Sequence, residues 1–290
     1  SNSFEALNEP IILDGPYSNS AFDIVCKNDK VYMIIGGKDL LNGKRFDKGG
    51  YILTYDYDKW SFIDPKEAQK KLNLPRNPRD YTSIAVTTDD SNDEIVYASS
   101  MGDGVIQYKN GTPVQSYNEK NAFKETAGGY GSGYCYIDGL AFDKNGNLWM
   151  TSSEVNHAVL VLDKAGAWHC LDIEQLRGVY TINDILITST NDKWIYVPRN
   201  TPKLVMIPNS ESLDEVSSYE FTTLIDTDGK ELTPSNYTCV AEDKDGYIWV
   251  GTNRGAVYFT KPRISSAEDK AATRCTRVKY TNEETGNLAY

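Results

Sequence analysis

The chain has only two histidines in 290 residues, which leaves acid–base and metal chemistry few candidates. His169 follows Trp168 in an apolar outer segment, so His157 is the one placed to act as an acid or base. There is no G-x-S-x-G nucleophile elbow. "GGYGSG" at 128–133 lacks the Lys-Ser/Thr and the strand-to-helix setting of a phosphate loop. The five cysteines, Cys26, Cys135, Cys170, Cys239 and Cys275, contain no C-x-x-C, which excludes zinc-ribbon and thioredoxin-like motifs. Four of them lie in or next to apolar strand-like runs and read as buried, reduced thiols. Positive charge is in deficit, with 30 Lys and Arg against 41 Asp and Glu, a net charge of −11. Such a chain repels phosphate backbones, which argues against a nucleic-acid partner. No apolar run approaches the length of a membrane span. No secretory h-region is present, and the opening "SNS" fits a chain whose signal has been removed. Acidic pairs such as Asp89–Asp90 and Glu283–Glu284 read as solvated turns.

What the chain does have is tyrosine (20), glycine (22) and a repeat. "IDGLAFDKNGNLWMT" (137–151), "TINDILITSTNDKWIYV" (181–197) and "TCVAEDKDGYIWVGT" (238–252) share one plan. "FDIVCKNDKVYMIIGG" (22–37) and "TSIAVTTDDSNDEIVYASS" (82–100) follow it more loosely. Each is an alternating apolar strand, a polar turn and a second apolar strand. Trp149, Trp194 and Trp249 hold one position in the second strand, with Tyr97 and Tyr32 as substitutes. Third strands follow at 49–56, 104–111, 158–166, 203–209 and 255–262, and more polar fourth strands at 58–64, 112–118 and 166–172. Four antiparallel strands in each repeat of about 40–55 residues specify an all-β fold, a β-propeller. Five repeats are legible and five to seven blades fit. The expectation is one propeller domain over 1–290, whole or as a fragment, with 1–19 and 264–290 joining to complete a blade. The tryptophans are expected to wedge between blades.

"DKDG" at 243–246 opens like a calcium loop, but the apolar strand "YIWVGT" follows where the bidentate Glu of an EF-hand is required. Asp-Gly and Asn-Gly are hairpin signals, because glycine tolerates positive φ. No metal and no cofactor is expected.

"IDGLAFDKNGNLWMTS" and "TCVAEDKDGYIWVGTNRGAVYF" resemble the two-component-regulator propeller repeat. A closer likeness, carried in order by segments 13–37, 49–63, 97–122 and the two Trp repeats, is to the propeller region of PorZ-like proteins. That resemblance implies work in the periplasm or at the cell surface, in or near type IX secretion. It also implies further blades and an immunoglobulin-like C-terminal part beyond "TRVKYTNEETGNLAY".

In a propeller the loops between second and third strands, together with the crossovers between blades, ring the mouth of the axial channel. Here they are 36–50, 99–104, 152–158, 198–203 and 252–255, with the crossover 119–134. They carry the candidate binding residues Arg45, Asp103, Tyr130, Tyr134, Asn156, His157, Arg199, Asn253 and Arg254. The leading expectation is a non-catalytic propeller that recognises an envelope protein or a surface glycan. The alternatives are an oligosaccharide-sensing propeller of a two-component system and a propeller hydrolase or lyase using His157 with a metal.

Overall fold

The computed structural model describes residues 15–281 and 288–289, apart from 41, 124, 128–132 and 214. Five four-stranded antiparallel blades follow one another along the chain, the second and third joined into one sheet where Met101 and Gly102 pair with Tyr136 and Cys135. Blade I is β1 (Ala21–Lys27), β2 (Lys30–Ile35), β3 (Ile52–Asp56) and β4 (Lys59–Ile63). Blade II is β5 (Tyr81–Thr88), β6 (Glu94–Gly102), β7 (Gly104–Lys109) and β8 (Thr112–Tyr117). Blade III is β9 (Cys135–Phe142), β10 (Leu148–Ser152), β11 (Val159–Leu162) and β12 (Trp168–Leu171). Blade IV is β13 (Ile185–Ile187), β14 (Lys193–Val197), β15 (Lys203–Ile207) and β16 (Tyr219–Phe221). A small hairpin, β17 (Leu224–Ile225) and β18 (Glu231–Leu232), precedes blade V. Blade V is β19 (Tyr237–Glu242), β20 (Tyr247–Thr252), β21 (Gly255–Thr260) and β22 (Cys275–Arg277). The pair β23 (Tyr280–Thr281) and β24 (Leu288–Ala289) follows it. Helix α1 (Pro65–Leu72) bridges blades I and II; Asp64 caps it by accepting from Lys66 N–H at 2.9 Å, with Pro65 in its first turn. Helix α2 (Ala267–Ala272) lies between β21 and β22.

The first strands of successive blades adjoin, β1 with β5, β5 with β9, β9 with β13 and β13 with β19, and so line the axis of a β-propeller. Apolar cores fill the four gaps between blades. Tyr32, Tyr97, Trp149 and Trp194 occupy one equivalent position each, opposite Val25, Ala85, Ala141 and Leu186 on the inner strand. The small or aliphatic partner makes room for the ring. Trp149 and Trp194 are each 1% exposed.

The hairpin turns orient these rings. Asp143 Oδ1 accepts the N–H groups of Asn145 and Asn147, both at 2.9 Å. Its Oδ2 accepts the side-chain amide of Asn147 and the indole N–H of Trp149, also at 2.9 Å. Asp243 repeats the pattern with Asp245 N, Tyr247 N and the Trp249 indole at 2.7 Å. The carboxylates that suggested calcium are therefore filled by N–H donors. The turn at 188–192 lacks glycine, and Asn191 takes its place at φ 69°, against 84° for Gly146.

The outer strands of blades IV and V need placing, and one expectation needs correction. Cys275 lies opposite Phe259 as the outer strand of blade V, its side chain buried in the core between blades IV and V, while the expected joining of 1–19 with 264–290 falls partly outside the described residues. Residues 1–14 lie outside the described residues. The outer strand of blade IV at 219–221 was hidden by the polar segment 208–218. The cysteines are not all buried. Cys135 and Cys275 are, Cys170 is half-buried, but Cys26 and Cys239 are exposed. Both exposed thiols sit in end blades, where no neighbour covers the strand.

The arc is open among the described residues. β19 and β1 do not adjoin as other inner strands do. Trp249 keeps its clamp to Asp243 yet is 36% exposed, and Ile24 and Phe62 on blade I are open to solvent.

Replacing Asp143 by Ala leaves four donors without an acceptor, three of them buried beside Trp149. Urea unfolding should show a loss of about 2–4 kcal/mol, with a clearly smaller loss for Asp243→Ala on the open face. Thiol labelling of the folded chain should modify Cys26 and Cys239 first. Burial pushes the Cys135 thiol up to about 12 and the Cys275 thiol up to about 11, so these two should react only on unfolding.

Candidate functional site

The inner strands cannot pair edge to edge round the axis, and four of them carry a bulge at the same level, at 21–23, 81–83, 137–140 and 237–239. Polar side chains there join one blade to the next. Asp23 accepts from Ile84 N–H at 3.2 Å and Ser83 hydroxyl at 3.3 Å. Thr82 donates to the carbonyl of Ile137 at 2.6 Å, and Ser83 accepts from Leu140 N–H at 3.1 Å. Thr151 donates to the carbonyl of Asn183 at 2.8 Å. Asn183 donates to the Tyr196 hydroxyl at 2.9 Å, which donates to the carbonyl of Thr238 at 3.1 Å. The links run from blade I to blade V in order.

At this level lies a pocket of about 230 Å³, with Asp23, Lys38, Asp138, Asn183, Asp184 and Tyr196 on its walls. Asp138 is buried and binds the Lys38 ammonium through one oxygen, while the other accepts the Ser153 hydroxyl at 2.7 Å. Lys38 comes from the loop after β2. That loop turns inward at Gly36 and Gly37, with φ 133° and 86°. A Cβ on Gly36 would lie 2.4 Å from Tyr81 N and one on Gly37 2.1 Å from the Phe22 ring, so no other residue fits. Further along, the carbonyl of Leu40 accepts from the Arg199 guanidinium at 2.6 Å. The loop thus straps the mouth from blade I to blades III and IV.

Three carboxylates and one ammonium share this small space. Burial raises the pKa of Asp138, although Lys38 opposes it, and burial raises Asp23 despite its N–H donors. Asp184 is pushed up to about 7, chiefly by desolvation and then by Asp23. Its side chain is open to the channel, but the inner strands and the strap crowd round it. The confined low-dielectric setting, rather than lack of exposed area, opposes its charge.

The residues expected to form a site from the sequence do not converge on one. Arg45 pairs with Asp47 at 2.7 Å and hydrogen-bonds Tyr134, whose ring packs on Tyr136. Asp103 is held by Arg76 at 2.7 Å and by Arg79 N–H at 3.1 Å. Asn156 and His157 gather on Glu125, which accepts Asn156 N–H at 2.6 Å and touches His157 Nδ1 at 2.5 Å. Arg199 is the anchor of the strap. Asn253 braces its own rim, accepting from Ser235 and Asn236 N–H at 2.9 and 3.1 Å, and Arg254 is exposed beside it. Tyr130 lies outside the described residues. Among the described residues no group of three or more His, Cys, Asp or Glu has the arrangement to hold a metal ion.

Asp23, Lys38, Asp138 and Asp184 were missed. Their signal was present: "FDI" (22–24), "IDG" (137–139) and "NDI" (183–185) each put an aspartate inside an otherwise apolar first strand.

Comparison with known proteins shows which structures share this fold. The family described as two component regulator propeller matches residues 231–254. No curated protein matches the chain. Among solved structures, PorZ, a surface component of the type-IX secretion system of Porphyromonas gingivalis, superposes with TM-score 0.78 at 20% identity. The match covers 97% of this chain and 37% of PorZ. The extracellular domains of two hybrid two-component systems of B. thetaiotaomicron give TM-scores of 0.54 and 0.51 at 15% and 14% identity. Those matches cover 91% and 94% of this chain and 31% and 38% of theirs. The chain therefore spans about a third of the length of each of these three solved chains.

Asp184 gives a pH test with a defined sign. Its folded pKa lies above the unfolded value, so the folded state binds the extra proton between about pH 4 and 7. Stability from this group is unpenalised below that window and falls as pH rises through it. Asp184→Asn should melt at the wild-type temperature near pH 4 and above it at pH 8. An offset that does not change with pH refutes the assignment.

Proposed function

We propose that this chain is a non-catalytic binding propeller that recognises an envelope protein or a surface glycan, in the periplasm or at the cell surface, in association with type IX secretion. The observation that carries this reading is the axial mouth: a polar pocket built on the rigid inner strands and strapped by the chain's own loop. Rigid walls with a few convergent polar groups are what recognition requires. The two histidines are each engaged by a carboxylate, His157 by Glu125 and His169 by Asp163, away from the axial pocket. The likeness to PorZ supports the envelope setting. No helix of the described residues is long and apolar enough to cross a membrane. A second reading, sensing of an oligosaccharide, takes its support from the regulator-propeller match at 231–254, which runs through the rim residues Asn253 and Arg254.

Glycan arrays and affinity capture from an envelope extract test the proposal. Arg45→Ala and Tyr134→Ala at the mouth should weaken capture about tenfold, or about 1.4 kcal/mol. Lys244→Ala, in the turn on the opposite face, should leave it unchanged. Equal losses on both faces, or none at the mouth, would reject it.

A further inference from the structure

We infer that the axial pocket is a binding site for a primary ammonium group and that Lys38 is its tethered occupant, so that the strap competes with an incoming ligand. This rests on the axial mouth being the ligand site.

The pocket is more than an assembly of carboxylates, because an alkylammonium is seated in it. Lys38 reaches from the loop after β2 to Asp138 in β9, a hundred positions along the chain, and each side chain is 2% exposed. The Tyr136 ring lies 5.1 Å from the Lys38 nitrogen, and the Ser153 hydroxyl steadies the second oxygen of Asp138. A carboxylate, an aromatic face and a supporting hydroxyl are the groups that select an ammonium over a neutral or anionic group.

One cation serves three carboxylates. Asp23 is held by N–H and hydroxyl donors, and Asp184 by the Ile185 N–H at 2.8 Å; neither is ion-paired. The surplus negative charge attracts a second cation and repels phosphate, sulfate and acidic sugars. A cavity of about 230 Å³ fits a short alkylammonium arm, with Phe22 and Leu40 for its methylenes.

Lys38 can also be withdrawn. The first limb of the strap is pinned outside its own turn by Lys38 to Asp138 and by Arg199 to the carbonyl of Leu40, while the returning limb stays held by Arg45 on Tyr134 and by the N–H groups of Asp47 and Lys48 on Asp80. Gly36 and Gly37 supply the backbone freedom at its root. Opening it breaks no strand pairing of blade I, because β2 ends at Ile35. A ligand ammonium that replaces Lys38 on Asp138 recovers the pairing that would otherwise be lost, so the exchange is near balanced. A lysine side chain of a partner, a free diamine and an amino sugar share this chemistry.

Isothermal titration separates these sources. Cadaverine, Nα-acetyl-lysine amide and glucosamine are the probes, with 1-pentanol as the neutral control. They are applied to the wild type, Lys38→Ala, Arg199→Ala and the double variant Lys38→Ala/Asp184→Asn. Lys38→Ala should bind at least one ammonium probe about tenfold or more tightly than wild type does. Adding Asp184→Asn should reverse the gain. Arg199→Ala, which loosens the strap with Lys38 still present, should show a smaller gain. The preferred probe then names the source. A folded Lys38→Ala that prefers no ammonium probe over pentanol overturns the inference, as does a gain that survives Asp184→Asn. If Lys38→Ala does not fold, the absence of any gain in Arg199→Ala overturns it. Capture that depends on the mouth but is displaced by no ammonium probe sinks the ammonium assignment alone. Capture that no longer depends on the mouth sinks the reading beneath it.

Discussion

A turn aspartate that takes up N–H donors is the interaction on which the blades depend. In blades III and V one carboxylate closes the hairpin and also holds the indole, which in blade III fills the gap to blade IV. Local turn geometry and long-range packing are thereby fixed by a single side chain. Asp89 and Asp226 close other turns in the same manner, each accepting from the second and fourth residues after it. A blade whose wedge ring were free to rotate would leave a void or a clash between sheets, and packed interiors tolerate neither.

Closer to the axis the problem changes from apolar filling to polar satisfaction. Inner strands converge there without pairing, so backbone groups released at the bulges must find side-chain partners. The serines, threonines and aspartates of the inner strands meet that need, and they also make the axis polar. Structural necessity thus creates the chemistry available to a ligand. The strap adds the one residue the inner strands do not supply, a cation.

The sequence made the fold legible because each blade repeats one pattern of strand, turn and aromatic residue. Trp149, Trp194 and Trp249 set the register, and the Asp-Gly and Asn-Gly pairs set the turns. The outer strands of blades IV and V were not legible, since 208–218 and 261–274 interrupt the rhythm and the strands themselves have only three residues. The axial pocket was not legible: the sequence directed attention to the loops instead. Loop charges such as Asp103 and His157 drew attention, yet their partners, Arg76 and Glu125, lie outside the repeats and could not be inferred from spacing. Asp138 and Lys38 are a hundred residues apart, and only the curvature of the arc brings them together.

The open side of that arc gives the strap a second meaning. A closed ring fixes its blades through every neighbour; in an arc the two end blades each have one. The path from blade I to blade IV through the blades is long, and the strap crosses it as a chord. Arg199 on the carbonyl of Leu40 thereby ties together blades I and IV, which share no core.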